Sequence, residues 1–504
     1  MGSPSKNVGL SLFPLAALVV GSIIGSGMFN LPQNMAENSG GLAIMIAWLI
    51  TFVGMLCLTR LYQTLSLKKP DLYGGPYVYA REGFGDFVGF AVAWGRWIAS
   101  MSGNAGYLVM LMAAFGGFTV FNFIGNGENL AGTIGALVAL WVTHILCFMG
   151  VRTAAFVNTI ITLAKLIPIL FFVVIAVVFF RSEVFQQGFW GPVGLANIAT
   201  QIKDSLFGQG LFGVVFESPE ARDLLFHQVK DGMLYTAWVF VGVESASLYS
   251  ARAKDMKTVA RATVIGFVIT MVLYMSVSLL SLGLIPQEQL AEMDNPSMRH
   301  IMGIVLGAEA AMVINIGIII SIAGAFLAWT LLAAESLYIT ALEQDDTGPH
   351  FFGKVNSKGA PTVALWWTNI VVSLILIMSL VFGKGYNELI LLSTSMYLIP
   401  YFLNAIYGMG VARTPDASGR TDMKFFVTCL LATLYGAWLI FAGGLDFLLI
   451  SMLLYAPCII LFLYRRHQDK KPLIKNREEL VSILGLFFLA VISFYMLAVG
   501  HIAL

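Results

Sequence analysis

An apolar stretch from about Leu10 to Met35 is interrupted at its middle by Gly25-Ser26-Gly27-Met28. Hydrocarbon offers backbone no hydrogen-bond partner, so such a break at membrane depth persists only where it lines a cavity or is buried in protein. Five spans later, Gly242-Val243-Glu244-Ser245 interrupts another hydrophobic segment. Paired interruptions at corresponding places in two halves of a chain point to the binding site of a transporter. The sequence therefore predicts a helical bundle that moves a small, charged molecule across a membrane.

Composition agrees about the solvent. Of 504 residues, 58% are hydrophobic and only 11% charged, where a soluble domain carries about 25% charged residues; mean hydropathy is +0.83. Runs of roughly 20 apolar residues, enough to cross a bilayer, recur throughout. They read as thirteen spans near 10–36, 41–65, 86–115, 131–150, 153–180, 233–251, 261–284, 304–342, 361–382, 387–411, 424–442, 445–465 and 480–502. The first is too long, and lacks the small-residue cleavage pattern, to be a removable signal peptide. A net charge of +1 and the lack of any basic domain exclude nucleic acid as a partner. Cys57, Cys147, Cys429 and Cys458 all fall inside spans and read as small core residues, not as a disulfide framework or zinc site. The six histidines show no metal-ligand spacing, and no nucleophile elbow, phosphate loop or HExxH motif appears. No cofactor is expected.

Basic residues set the orientation. With the N-terminus in the cytoplasm, Lys68, Lys69, Arg81, Arg152, Arg252, Lys254, Lys257, Arg261, Lys354, Lys358, Arg413, Arg420 and Lys424 all lie in inner loops. Arg465, Arg466, Lys470, Lys471, Lys475 and Arg477 join them, and the outer loops near 31–40 and 116–130 hold none. An odd span count then puts the C-terminus outside. The longest non-spanning stretch, about 181–232, is an outer segment with room for a short amphipathic helix or a lid. Gly74-Gly75-Pro76 reads as a turn between spans two and three. Spans one to five (about 10–180) and six to ten (about 233–411) overlay, with the broken helix first in each half. Spans eleven to thirteen lie outside the repeat as scaffold or subunit contact, with a homodimer as the candidate assembly; residues 1–470 form the core with two scaffold helices, and 471–504 the additional last helix.

Breaking a helix exposes amide donors at one end and carbonyl acceptors at the other. An amino acid carries a group for each. Backbone around Ile23, Ser26 and Gly27 suits a carboxylate, and carbonyls near Trp238 to Val241 suit an α-amino group. Dense glycines also serve tight helix packing, which is the alternative reading. Glu244, ionisable within a span, reads either as a titrating or gating group or as half of a structural ion pair. Lys165 reads as a buried ammonium standing in for a sodium ion or coupling to protons, or as a snorkelling lysine. Glu335 lies near the inner end of span eight and faces water on the simplest reading. Trp238 and Trp329 offer faces to a guanidinium or ammonium, although a tryptophan here also serves as core. Asn104, between Gly103 and Gly106, is a buried amide in span three.

These residues carry a resemblance. GSIIGSGMFNLPQNMA (21–36), KKPDLYGGPYVYAREGFGDF (68–87), WVFVGVESASLYSARAKD (238–255) and AGAFLAWTLLAAES (323–336) resemble segments of the amino acid–polyamine–organocation superfamily, in particular its basic amino acid antiporters of the arginine/ornithine type. The resemblance covers roughly residues 8–466. It implies an all-α integral membrane protein with a five-plus-five inverted-repeat fold of the leucine-transporter type, broken helices one and six, and 12–13 transmembrane helices. It further implies sodium-independent exchange of cationic amino acids by alternating access in the bacterial inner membrane, arginine for ornithine or agmatine. By motif, Ile23, Ser26 and Gly27 would hold the carboxylate, Asn104 would contact ligand, Trp238 would occlude it and Trp329 would pack on the guanidinium. Glu244 would act in pH-linked gating, and Lys165 matches the lysine that replaces sodium in proton-coupled relatives.

One position departs from the family. Arg96, in Trp94-Gly95-Arg96-Trp97, stands where the family has an aromatic residue in span three. Facing Glu244, it would neutralise that carboxylate and favour a neutral or acidic substrate; snorkelling away, it would leave the preference unchanged. A proton-coupled importer of neutral or cationic amino acids is the alternative function. A receptor or an intramembrane enzyme is the alternative class, disfavoured because there is no output domain and no clustered nucleophile and base.

Overall fold

A computed structural model describes residues 12–69, 71–72, 75–149, 151–191, 219–243, 256–342, 347–415 and 419–502. The chain is built of helices, and among the described residues the only β pairing is an isolated bridge between Val355 and Pro361. Among the described residues, ten helices are long and apolar enough to cross a membrane, which makes this a multi-pass membrane protein.

Span one is two half-helices, α1 (Leu12–Ile23) and α2 (Gly27–Ala36). Span two is α3 (Gly41–Lys68), followed by the short α4 (Pro76–Phe84) and then by span three, α5 (Asp86–Gly116). The turn expected at Gly75 is present, with φ at +81°, a conformation that suits glycine, and Pro76 opens α4 where its missing N–H costs nothing. Spans four and five are α6 (Leu130–Phe148) and α7 (Val151–Val178), and α8 (Ser182–Gln187) follows.

Two boundaries differ from the sequence reading. Span six, expected from residue 233, is the end of a longer helix, α9 (Pro219–Trp238). Its first turns are too polar to register as membrane, yet Ala221, Leu225, Gln228, Val229 and Gly232 line one buried face at helical spacing. The stretch read as an outer loop therefore includes helix. Span eight, expected from residue 304, splits at Gly307 (φ +92°) into α12 (Ser297–Leu306) and α13 (Ala308–Thr340), preceded by span seven, α10 (Met256–Ser281), and a single turn, α11 (Gln287–Ala291). Spans nine to eleven are α14 (Thr362–Phe382), α15 (Tyr386–Arg413) and α16 (Met423–Ala442). Span twelve is α17 (Gly444–Tyr455) continued by α18 (Pro457–Gln468), and span thirteen is α19 (Arg477–Ala498).

Small residues set how closely these helices approach. A Cβ on Gly54 of α3 would stand 2.1 Å from the Tyr435 ring of α16, and one on Gly95 of α5 would stand 1.8 Å from Tyr455 of α17. Gly317 of α13 likewise accepts Pro168 of α7. Lipid tails are as apolar as a leucine side chain, so close backbone approach and interhelical hydrogen bonds hold such a bundle. Trp48 donates to Ser278 (2.9 Å), Trp97 donates to Thr368 (3.0 Å), and Thr51 pairs with Thr236 (2.7 Å) across helix interfaces. Span three packs along spans eight and ten, span eight also packs on span five, and the first half of span one packs on span seven.

Candidate functional site

The two breaks meet. At the first, Ile24, Gly25 and Ser26 leave the helix between α1 and α2. The second begins after Trp238, where Val239 to Val243 run in turns and Gly242 takes φ +99°. Tyr274 of α10 sits between them, its hydroxyl 2.9 Å from the carbonyl of Val239 and 3.2 Å from that of Ile23. The second break is also held from α15, because Gly242 donates its N–H to the Tyr401 hydroxyl (3.4 Å).

Donors and acceptors divide as helix electrostatics require. The carbonyl end of α1 carries partial negative charge, and there the Lys165 ammonium, reaching from α7, donates to the carbonyls of Gly21 and Ile24 (2.6 Å to the latter). Lys165 is buried at 2% exposure, so it does not snorkel; its charge is matched by the break itself. The amide end of α2 begins at Gly27, where the first N–H groups of a helix have no intrahelical acceptor. Beside it the fully buried Ser26 hydroxyl lies 3.0 Å from the Tyr386 hydroxyl of α15.

Trp238 closes this region. Its indole lies in a slot between two glycines: a Cβ on Gly27 would come within 2.9 Å of the ring, and one on Gly103 within 3.0 Å. Tyr107 packs beside it, with ring centroids 6.0 Å apart, and covers Gly25. On the other side, Trp329 meets Tyr397 edge to face at 6.1 Å, and the Tyr397 hydroxyl pairs with Ser100 at 2.6 Å. Between these walls is a cavity of about 20 Å³ lined by Ile23, Gly27, Asn104, Trp238, Val241 and Trp329 among others. That is room for about one water molecule, so a larger ligand fits only if lining residues move. This conformation is closed over the site.

Asn104 is the exceptional lining residue. It is 1% exposed, and among the described residues neither its amide nitrogen nor its oxygen has a hydrogen-bond partner. Buried polar groups are normally paired. This amide lines the cavity and offers it both a donor and an acceptor.

The structure thus gathers Ile23, Gly27, Asn104, Trp238 and Trp329 around one cavity, while Ser26 is buried beside it against Tyr386 and Lys165 lies behind the first break. Arg96 is half-buried on α5, one turn from Ser100, whose hydroxyl donates to the Arg96 carbonyl (2.9 Å); it is not among the lining residues. Glu244 lies outside the described residues, as do residues 245–255. Glu335 of α13 is half-buried. Sequence reasoning missed Tyr107, Tyr274, Tyr386, Tyr397, Ser100 and Ser393, since a tyrosine or serine within a span carries no signal of what it will face. A larger polar cleft of about 470 Å³ between α4, α5 and α19 contains none of the break residues and is separate from this site.

A bundle of membrane-spanning helices in which a broken helix meets the unwound end of another across a small, largely apolar cavity has the layout of a secondary transporter. The amino acid permease family profile matches residues 10–446, and the chain belongs to that family. It is 40% identical over 482 residues to the arginine/ornithine antiporter of Pseudomonas aeruginosa, covering 94% of each chain. To the putative arginine/ornithine antiporter of Escherichia coli it is 37% identical over 500 residues, 98% of this chain and all of the other. An arginine/agmatine antiporter of Chlamydia felis is 34% identical over 503 residues, 99% of this chain and 98% of the other.

Proposed function

We propose that this protein exchanges cationic amino acids, arginine against ornithine or agmatine, across the bacterial inner membrane by alternating access, with its N-terminus in the cytoplasm. The names of its relatives support the substrate class, and the segregation of lysine and arginine among the loops supports the orientation. The observation that carries the mechanism is the meeting of the two breaks around the orphaned amide of Asn104. In this reading the amides opening α2 at Ser26 and Gly27, with Ile23 beside them, take the substrate carboxylate. The turn carbonyls after Trp238 take its amino group, and Asn104 contacts the ligand. Trp238 acts as the gate and Trp329 packs on the side chain. Lys165 supplies a permanent cation where sodium-coupled carriers hold an ion, which accounts for sodium independence. Glu244 serves in gating, and Arg96, one turn beyond the lining, leaves the cationic preference intact. The two five-span repeats rock against each other, and the last three spans are scaffold.

The test is uptake of labelled arginine into liposomes holding purified protein. Uptake only into vesicles preloaded with arginine, ornithine or agmatine is the expected result. Equal uptake into empty vesicles under a pH gradient would overturn exchange in favour of a proton-coupled importer, the reading that the burial of Lys165 also supports. Uptake of neutral or acidic amino acids alone would assign Arg96 a direct part in substrate choice.

A further inference from the structure

We propose that the connector between α18 and α19, residues 469–477, is a docking surface for anionic phospholipid headgroups, fixed to the transport core by two buried arginines. The connector reads Asp-Lys-Lys-Pro-Leu-Ile-Lys-Asn-Arg, four basic residues against one acid, with the exposed Glu478 following on α19 and Asp71, Glu82 and Asp86 in the cleft beside Lys475. Its acid is already occupied: Asp469 is 15% exposed and takes Arg465 at 2.8 Å, His350 at 3.0 Å and Lys471 at 3.4 Å. Lys470 and Arg477 are exposed and have no ion-pair partner among the described residues, and Lys475 is 66% exposed with only a long contact to Asp86 (3.9 Å). Between the lysines, Leu473 and Ile474 are 50% and 40% exposed. Because α19 enters the bilayer immediately after Arg477, the connector lies at headgroup level. An apolar pair flanked by cations at that depth matches an anionic interface, apolar side chains dipping inward and lysines meeting phosphate.

The backbone is held for this purpose. Lys470 has φ +53° and is the only non-glycine residue with positive φ among the described residues. It ends α18 where glycine is the usual choice: its N–H donates to His467, and that of Lys471 donates to Arg466. A lysine kept in a glycine's conformation trades backbone ease for a charge at the surface.

The connector is also tied to the core. Arg466 is buried between Glu479 of α19 (3.0 Å) and Asp86 at the start of α5 (3.2 Å), and Asp86 also accepts from Arg81 of α4 (3.0 Å). Arg465, 1% exposed, donates to the carbonyl of Gly348 between spans eight and nine (3.0 Å). A lipid on the connector would thus bear on loops of both repeats.

The test needs no substrate. Purified protein is challenged with phosphatidylglycerol and phosphatidylcholine in detergent, reading retained lipid by native mass spectrometry and the thermal midpoint. The native chain should retain phosphatidylglycerol selectively and gain thermal stability from it. A Lys470→Gly, Lys475→Gln variant, whose first change relieves the left-handed strain, should lose roughly fivefold in retention per charge removed. A Lys354→Gln, Lys358→Gln control on another basic loop should behave as the native chain. Unchanged retention in the connector variant, or equal loss in the control, would overturn the proposal.

Discussion

Asn104 buries an amide that has no hydrogen-bond partner among the described residues, at a cost of about 1–3 kcal/mol for a buried orphan. In the proposed function that cost is recovered when ligand binds. Asn104→Leu should therefore leave the thermal midpoint unchanged or raise it, while weakening arginine binding about tenfold or more; titration calorimetry beside thermal unfolding reads both. Loss of stability together with binding would make Asn104 a packing residue instead. Gly27 is tested in the opposite sense. A methyl there would stand 2.8 Å from Val239 and 2.9 Å from the Trp238 ring, so Gly27→Ala overpacks the slot by about 1–3 kcal/mol and should abolish exchange. Asn104, Gly27 and Trp238 were legible in the sequence because glycine and amide are conspicuous among aliphatic residues. Tyr386 was not: it meets Ser26 from 360 residues away, and no local pattern records that.

Half-helices act as units, and each is anchored differently. The carbonyl end of α1 rests on Lys165 and Tyr274. Lys165→Met would leave the Gly21 and Ile24 carbonyls without their donor, and exchange in liposomes should fall at least tenfold; Lys165→Arg should fail to restore it, because a planar fork does not replace a compact ammonium. Tyr274→Phe keeps the ring stacked on Trp48 but removes the hydroxyl that reaches both breaks. Losing one such bond is worth about 1 kcal/mol, so turnover should drop roughly fivefold, measured as the maximal exchange rate. The second half, α2, ends at Glu37, whose carboxylate accepts from Tyr235 of α9 (3.2 Å). Partial burial, with Glu388 and Asp231 adding repulsion, holds that carboxyl above its ordinary range despite the Tyr235 and Gln33 hydrogen bonds. Glu128 is raised in the same way. For a raised carboxyl, the stabilising contribution is full below the ordinary range and lost as pH rises through the shifted value. Thermal stability should therefore rise as pH falls through the raised range toward the ordinary carboxylate range, and Glu37→Gln should flatten that dependence.

Among the described residues, most charge lies near helix ends, with Lys165 at the first break and Arg60, Arg96 and Glu335 within spans. Arg466 joins the last span to the start of span three through Asp86 and Glu479, with side-chain exposures of 9%, 26% and 6%. Removing one member of a buried pair strands the others, typically at about 3 kcal/mol or more. Arg466→Met should lower the thermal midpoint by several degrees, and neutralising Asp86 and Glu479 in the same chain should recover most of it. The sequence marked Arg466 only as one of many inner-loop cations. Its burial follows from the fold of the connector, which no periodicity announces. The helical start of α9 escaped notice for a related reason: its polar face speaks as loudly as its buried one.

What the sequence determined by itself is whatever the bilayer dictates. Hydrocarbon thickness fixes the length of each span, the need to satisfy backbone internally makes every span a helix, and the same need makes Gly25-Ser26-Gly27 and Gly242 visible as breaks. Tertiary structure alone decided what those breaks touch. That Tyr274 spans both, that Lys165 faces the carbonyl end of α1, and that Asn104 is left without a partner among the described residues depend on side chains brought together from distant spans. Such contacts arise from packing in three dimensions, where sequence separation exerts no force.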